Sequence, residues 1–377
     1  MGNTFVTLKE IARQALPQLM DNLVFPQLCY RDFGADCHDL GDTVQVRRPA
    51  VFSADEFNQE TGVNYRDICE DGVDVTLDHI ATVDARATAI ETATGIDDLN
   101  RVFIQPAAAA LAEKINADGL KLYRDIPYYT GTPGTTPGSL ADLANARRAL
   151  NVNRAPAYGR AAVWDPEADA ALTQLSALIN AEKSGSTEAL REGAIGRVYG
   201  MDNYMSQGVC VHNVGTAISA GATLAVDGAA AAGDAYVHID GGTGAQTLEA
   251  GDIIIVNGEK YAVAKKCTFA SGEGDVYVYG GVRRAIADNA AVTYVGGASA
   301  TKYTCNLAFH PMAFAYVSRP LINPDGQGVA SYVTSFNGIS LRVTKGYDQQ
   351  YKRSIYSMDV LYGFKTIYPE LAVRVLG

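Results

Sequence analysis

The feature that most constrains the fold is an acidic stretch with too few large apolar residues to build a core of its own. Between Ser53 and Asp84 the sequence holds nine acids and a single base. Residues 43–48 and 73–77 alternate apolar with polar side chains, which predicts two strands of one long excursion. An isolated two-stranded ribbon is marginal in water, so this one is expected either to stay mobile or to lie on a basic surface, such as that of a neighbouring subunit. Its candidate contact residues are Asp55, Glu56, Glu60, Arg66, Asp67, Glu70 and Asp71.

The last part of the chain carries the opposite charge. Residues 337–377 hold six bases and three acids. We expect this basic region of one subunit to meet the acidic ribbon of the next, because complementary charge fixes the register of an interface. The alternative is that both are ordinary solvated faces. The basic contact candidates are Arg342, Lys345, Lys352, Arg353 and Lys365.

The chain is too long for one hydrophobic core and too acidic for a dedicated nucleic-acid-binding protein. Its 377 residues exceed the roughly 250–300 at which a single core stops growing, which predicts more than one folding unit. A net charge of −11 argues against a surface that grips phosphates. Only 19% of the residues are charged, below the usual quarter, so part of the surface is expected to be covered by neighbours.

Helical patterns dominate the first half. Residues 3–30 are predicted to form an amphipathic arm, in which Pro17 and Pro26 limit how far a helix continues. A long Ala-rich helix is predicted after Gly95, and Pro106 either kinks it or starts its second half. Ser139 opens another helix, up to about residue 150, with Asp142 three residues on. A buried strand is predicted at 160–164, and Asp165-Pro166 opens a further helix. The middle of the chain therefore indicates an α/β core.

The second half is rich in strands and glycine. Fifteen of the 37 glycines lie in residues 215–300, which show no helical stripe and predict a small β-rich insertion. Asn257-Gly258 between two apolar runs is typical of a hairpin turn. Residues 311–317 suggest a short helix with proline at its start, and several strands are predicted from Tyr332 to the C-terminus.

No pattern indicates an active site. Cys29, Cys37, His38 and Cys69 could be drawn as a zinc set, but their spacing matches no standard ligand pattern, so packing or surface roles are preferred. The glycine-rich runs 241–244 and 272–274 lack the features of a phosphate loop and are interpreted as turns, and Asp97-Asp98 as a helix N-terminus. The cysteines are scattered singly, and the N-terminal residues lack the pattern of a secretion signal, which together predict a soluble cytosolic protein. The longest uncharged run, 203–226, contains too many glycines and polar residues to form a membrane-spanning helix.

The order of these segments resembles the major capsid proteins of tailed bacteriophages, whose shared fold was first described for the Hong Kong ninety-seven phage coat. Residues 96–120 resemble the spine helix of that family, and residues 140–172 resemble its axial domain. Residues 193–206 and 306–321 are also similar to recurring family segments. The resemblance covers nearly the whole chain.

The resemblance implies an α+β Hong Kong ninety-seven-like fold of the short-tailed-phage type, with an inserted β-rich domain. The implied parts are an N-terminal arm (1–40), an extended hairpin loop (41–92), the spine helix with part of the peripheral domain (93–138), the axial domain (139–214 and 301–330), the inserted domain (215–300) and the peripheral strands with the C-terminus (331–377). Some members crosslink the extended loop through lysine. This chain has no lysine between Lys9 and Lys114, so non-covalent contacts are expected instead.

The implied function is a structural one without catalysis, metal or cofactor. Copies would self-assemble as hexamers and pentamers into an icosahedral head, first as a procapsid, in the host cytoplasm. The resemblance also implies a scaffolding protein and a portal as partners. The virion shell would enclose double-stranded DNA without sequence-specific binding. The alternatives are an encapsulin-like compartment that holds enzymes, and a hydrolase or a β-rich binding module.

Overall fold

The computed structural model describes residues 8–31, 43–48, 57, 59, 71–88, 104–180, 191–298, 300–322 and 329–377. These residues separate into two compact units. Unit 1 contains the described residues of Met1–Leu16, Tyr30–Ile104 and Phe314–Ile367, and unit 2 those of Pro17–Cys29, Gln105–Ala313 and Tyr368–Gly377. The α-helices are α1 (Leu8–Asn22), α2 (Phe25–Leu28), α3 (Gln105–Leu120), α4 (Leu140–Val152), α5 (Pro166–Thr173), α6 (Ser176–Ile179) and α7 (Thr216–Ser219).

Proline has a different place in each of the two long helices of the first half. Helix α1 continues through Pro17, which the sequence suggested as a limit. Pro106 lies in the first turn of α3 as described, where a missing N–H costs little. The 3₁₀ turn Lys121–Asp125 follows α3 directly, and residues 96–103 of the predicted helix lie outside the described residues.

Unit 2 contains a seven-stranded sheet at its centre. Its strand order is β4-β22-β17-β5-β7-β6, and β8 also pairs with β17. The strands are β4 (Tyr129–Gly131), β5 (Arg160–Trp164), β6 (Arg197–Val198), β7 (Met201–Met205), β8 (Val211–Asn213), β17 (Lys302–Phe309) and β22 (Ala372–Leu376).

The predicted α/β core is present around this sheet. Ser139 caps α4 with the complete capping box, since its side chain accepts from the Asp142 N–H while the Asp142 side chain accepts from the Ser139 N–H. Helix α4 buries Leu143 and Leu150 in a cluster with Trp164, which is fully buried on the predicted strand β5. Asp165 takes the N-cap position of α5 without a side-chain capping bond.

The residues between 215 and 300 pair mainly among themselves. A six-stranded sheet has the order β13-β12-β16-β9-β10-β15, and β11 pairs with β14. Asn257 and Gly258 both have positive φ in the turn between β12 and β13, as the sequence predicts for this hairpin. The strands are β9 (Leu224–Val226), β10 (Tyr236–Asp240), β11 (Thr247–Leu248), β12 (Ile253–Val256), β13 (Glu259–Ala262), β14 (Cys267–Thr268), β15 (Gly274–Tyr277) and β16 (Ala291–Tyr294).

Unit 1 contains a five-stranded sheet and a two-stranded ribbon. The sheet has the order β18-β21-β20-β19, and β3 pairs with β21. The ribbon is the antiparallel pair β1 and β2, which the alternation predicted. The strands are β1 (Thr43–Arg48), β2 (Asp71–Thr76), β3 (His79–Thr88), β18 (Phe314–Arg319), β19 (Ala330–Phe336), β20 (Ile339–Asp348) and β21 (Arg353–Thr366).

Three segments differ from the sequence expectation. Strand β3 pairs along its full length with β21, so residues 79–88 of the predicted extended loop 41–92 are part of the five-stranded sheet. The predicted helix at 311–317 is one 3₁₀ turn, Pro311–Ala313, followed by strand β18, whose aromatic and β-branched residues favour extended structure. Strand β22, grouped by sequence with the strands after residue 331, pairs instead with β17 and β4 in unit 2.

Candidate functional site

Most of the contact candidates from the acidic stretch lie outside the described residues. These are Asp55, Glu56, Glu60, Arg66, Asp67 and Glu70. Asp71 begins β2, where its backbone is in register with Arg48 of β1. Asp84 is on β3 opposite Ser357 of β21, so this acid of the predicted run belongs to the five-stranded sheet.

Two of the basic candidates are already paired within their own sheet. Arg342 donates through Nε (3.0 Å) and Nη2 (2.7 Å) to Asp359, whose side chain is only 7% exposed. Arg353 donates to Asp348 at 3.1 Å, and its guanidinium lies 4.4 Å from the centre of the Tyr351 ring. These two pairs neutralise two of the three acids counted in residues 337–377, so the arginines contribute little net positive charge to the surface.

The three lysine candidates, Lys345, Lys352 and Lys365, do not form one patch. Lys345 lies 5.3 Å from the centre of the Tyr356 ring, and strand alternation places it on the opposite face from Lys365. Lys352 is in the turn before β21, and Lys365 is near the far end of that strand. At about 3.3 Å per residue, these two positions are roughly 40 Å apart. The basic region of the sequence is therefore three separate positions in the structure.

A buried chain of polar side chains lies at the base of the β-rich region and was not found from the sequence. The Tyr123 hydroxyl is 3.0 Å from Nδ1 of His212, and Nε2 of His212 is 2.8 Å from Oδ1 of Asp252. The other Asp252 oxygen accepts from the backbone N–H groups of Gly215 (3.1 Å) and Glu249 (2.7 Å). A neutral imidazole with its proton on Nε2 satisfies both contacts of His212. We call Tyr123, His212 and Asp252 the buried triad.

Arg374 completes this cluster from strand β22. Its side chain is fully buried and donates to the carbonyl oxygens of Gly251 (2.6 Å) and Arg124 (3.2 Å), and its guanidinium lies 5.3 Å from the centre of the Tyr123 ring. Arg374 is one of the six bases of residues 337–377, and its burial removes it from the surface charge of that region. Its position inside the apolar run AVRVL is the signal that could have shown its burial, since such a run predicts a strand covered on both faces.

The buried triad has the residue types of a proton relay but no access to a substrate. All three side chains are at most 3% exposed. Burial raises the pKa of Tyr123 and raises the pKa of the neighbouring Cys305 thiol to about 12, so the phenol and the thiol are neutral and poor nucleophiles at neutral pH. The arrangement therefore holds the β-rich region to the core of unit 2 through satisfied hydrogen bonds.

A second histidine cluster lies on the surface of the six-stranded sheet. Nδ1 of His238 is 2.7 Å from Asp275, and Nε2 is 3.7 Å from Asp227 and 3.9 Å from Glu273. The hydrogen bond to Asp275, followed by the charges of all three acids, raises the pKa of His238. Asp227, His238 and Glu273 are, among the described residues, the set whose ligand atoms lie close enough to share a metal ion. Their side chains are 36–59% exposed, as in ordinary surface ion pairs.

The other chemical candidates of the sequence are packing or turn residues where they are described. Cys29 is buried and its thiol lies 3.2 Å from the Phe25 carbonyl, while Cys37, His38, Cys69, Asp97 and Asp98 lie outside the described residues. The two glycine-rich runs meet each other, since Gly242 donates to the Gly272 carbonyl at 3.0 Å. A Cβ at Gly241 would stand 2.1 Å from the Thr223 carbonyl oxygen, so the glycine is needed for close backbone approach.

Comparison with solved structures identifies the fold. The solved structure of Mycobacterium phage Che8 matches with a TM-score of 0.51 and 18% identity, over 94% of this chain and 90% of that chain. The capsid structure of the cyanophage P-SCSP1u matches at 0.49 and 13% identity, over 94% and 87% of the two chains. The virus-like particle from Pyrococcus furiosus matches at 0.40 and 10% identity, over 97% and 98%. No protein-family model matches the sequence, and no curated protein matches it either.

Only the first of these scores reaches 0.5, and the fold comparison rests on it. The chain shares its fold with the Mycobacterium phage Che8 structure, which supports, at the level of fold, the resemblance to tailed-phage capsid proteins drawn from the sequence. In the part of the chain that the structure describes, no helix is long and apolar enough to cross a membrane.

Proposed function

We propose that this chain is the major capsid protein of a tailed phage and that its copies assemble, as hexamers and pentamers, into the icosahedral shell that encloses a double-stranded DNA genome. The observation that carries the proposal is a capsid-type fold matched over 94% of this chain and 90% of the phage chain. A purely structural role is consistent with the buried triad, whose polar groups are satisfied and closed to solvent. A scaffolding protein and a portal are the expected partners during assembly.

The parts of the shell protein follow the same proposal. Residues 215–300 form an inserted β-rich domain of the short-tailed-phage type, supported by strands that pair mainly among themselves. The peripheral domain contains the five-stranded sheet, and the axial domain contains the seven-stranded sheet of unit 2. Strand β22, although it follows residue 331, belongs with the axial part because it pairs with β17.

Electron microscopy of the expressed full-length protein tests the function. We expect uniform round shells tens of nanometres wide, formed by the protein alone or together with the products of its neighbouring genes. A protein that stays monomeric under both conditions would overturn the proposal. Nuclease-protected DNA in shells from infected cells supports a phage head, whereas shells that hold an enzyme and no DNA would establish the encapsulin-like alternative.

We propose that the contact between subunits joins the acidic segment of one copy, residues 53–84, to the lysines of the next. The internal pairing of Arg342 and Arg353 leaves Lys345, Lys352 and Lys365 as the basic side of this contact. Because these lysines are far apart, we expect one of them to make most of the contact with the acidic segment of the neighbouring copy. Reversing Asp67, Glu70 and Asp71 to Lys should block assembly while the monomer stays folded.

A charge-swap experiment identifies the lysine. Each of Lys345→Glu, Lys352→Glu and Lys365→Glu is combined with the reversed acidic segment, and shells are counted by microscopy. The true partner lysine should impair assembly alone and restore shells in the combination. Normal shells from the reversed acidic segment by itself would refute the contact without affecting the proposed capsid role. Lys302→Glu, an exposed lysine in unit 2, is the matched control.

A further inference from the structure

A basic cleft in unit 2 has positive charge that no acid among the described residues pairs with. It is lined by residues that precede and form β4, by the C-terminal half of α4 and by the turn between β12 and β13, and it has a volume of about 250 Å³. Arg148 of α4 and Lys260 of β13 bring two positive charges to its wall, and Tyr129 brings an aromatic ring. We call this feature the basic cleft.

The two cations stand without a carboxylate. Lys260 Nζ lies 4.2 Å from the centre of the Tyr129 ring, and no acid among the described residues is within ion-pair distance of Lys260 or Arg148. The one acid of the cleft wall, Glu259, is paired with Arg284 at 3.3 Å. Burial lowers the pKa of Lys260, and the charge of Arg148 lowers it further. Two uncompensated cations in a protein of net charge −11 make this an anion-attracting position.

The shape and lining of the cleft favour a peptide carboxylate over other anions. Its volume lies below the roughly 300–1,000 Å³ of small-molecule pockets, so it suits single side chains. Val152, which is 70% exposed, adds an apolar wall next to the charges, and the Tyr129 ring adds another. A nucleic-acid surface needs a longer track of cations to release counterions from successive phosphates.

The cleft also contains a buried hydroxyl without a partner. Thr130 lines it with 9% of its surface exposed, and its Oγ1 makes no hydrogen bond. Nearby, Arg283 is engaged by Tyr128, since it donates to the Tyr128 hydroxyl at 3.0 Å and lies 5.2 Å from the centre of the Tyr128 ring. Among the described residues that line the cleft, the charged donors are those of Arg148 and Lys260, which suit one or two carboxylates.

We propose that the basic cleft binds an extended acidic peptide of a partner protein, with Arg148 and Lys260 contacting its carboxylates and Tyr129 and Val152 contacting an adjacent apolar side chain. The partner is a different protein because the proposed shell contact already assigns the acidic segment of this chain to the lysines of unit 1. The cleft lies wholly within unit 2, so its binding can be measured whether or not the protein forms shells.

Fluorescence anisotropy with the full-length protein tests this binding. The probe is a short fluorescein-labelled peptide of Glu and Leu, and its matched control replaces every Glu by Gln. We expect the acidic peptide to bind and the control not to bind. Each of Arg148→Gln and Lys260→Gln should weaken binding about tenfold, which is the expected loss for one charged hydrogen bond. Arg148→Lys and Lys260→Arg should retain most of the binding, and Lys302→Gln should change nothing.

Four outcomes would overturn the proposal. The first is equal binding of the Gln peptide, and the second is unchanged binding in both charge-removing variants. The third is displacement of the peptide by inorganic phosphate or by short duplex DNA at equal charge concentration, which would make the cleft a phosphate site. The fourth is tighter binding of a peptide with the sequence of residues 53–71, which would assign the cleft to a second copy of this chain.

Discussion

The two histidine–aspartate pairs of unit 2 have nearly the same geometry in opposite surroundings. His212 and Asp252 are 2.8 Å apart and at most 3% exposed, whereas His238 and Asp275 are 2.7 Å apart and 36% and 52% exposed. The buried pair continues to Tyr123 and two backbone N–H groups, while the exposed pair shares its histidine with two more acids. Equal distances therefore do not mean equal stabilisation, because solvent replaces a lost partner only at the surface.

The largest expected effect is at the centre of the buried triad. Asp252→Ala removes the acceptor of three donors in a site closed to water, and we expect it to lower the free energy of unfolding of unit 2 by about 3–5 kcal/mol. Urea denaturation, with hydrogen exchange of the amides of residues 253–262 as the local signal, measures this loss. A loss below about 1 kcal/mol would mean that water reaches the site of Asp252 and that burial does not distinguish the two histidine–aspartate pairs.

Removing the outer member of the triad should cost less. Tyr123→Phe keeps the ring but leaves Nδ1 of His212 without its hydroxyl partner, so we expect a loss of about 1–2 kcal/mol in the free energy of unfolding. The same denaturation experiment measures it. Tyr158→Phe, which changes an exposed ring of the same unit, is the control and should have no effect. Equal stability of the two variants would show that the hydroxyl contact contributes nothing.

The exposed pair should tolerate the corresponding change. Asp275→Asn keeps the shape of the side chain and removes one of three acids around His238, and we expect a change within about 0.5 kcal/mol. Thermal denaturation of this variant beside Asp252→Asn gives the direct contrast. If the two variants lost similar stability, burial would not be the property that separates the pairs.

The smallest expected effect is a pH dependence from His238. Its pKa in the folded protein is raised above the unfolded value near 6.5, so the charged histidine stabilises the fold below about pH 6.5 and this contribution disappears as the pH rises through the folded pKa. The groups facing it are Asp227, Glu273 and Asp275. H238Q should therefore be less stable than the parent protein at pH 5.5, by a few tenths of a kcal/mol, and equal to it at pH 8.5. A larger difference in stability at pH 8.5 than at pH 5.5 would contradict the predicted direction of the pH dependence.

The elements that could be predicted from the sequence are those specified by a pattern of a few neighbouring residues. The Ser139 capping box, the Asn257-Gly258 hairpin and the buried strand at Arg160–Trp164 are each visible within a few residues, and the structure contains all three. The resemblance to phage capsid proteins also rested on such local segments, and the comparison confirms it at the level of fold.

What the sequence missed depends on distant partners. His212, Asp252 and Tyr123 are far apart in the chain, and no spacing pattern relates them. The basic C-terminal region was predicted from composition, but composition does not show that Arg342 and Arg353 are paired internally or that Arg374 is buried. Charge counts along a strand therefore overestimate the charge that a partner can reach.

The place of strand β22 has a consequence for how unit 2 folds. This strand lies between the edge strand β4 and strand β17 of the seven-stranded sheet, yet it is separated from β17 along the chain by four strands of the five-stranded sheet, β18 to β21. During synthesis the gap between β4 and β17 therefore stays open until the residues of β22 have left the ribosome, and closing it pays the loop entropy of the whole intervening segment. Losing these few residues would remove the pairing partner of β4 and also one neighbour of β17, whereas losing the edge strand β4 would remove one neighbour of β22.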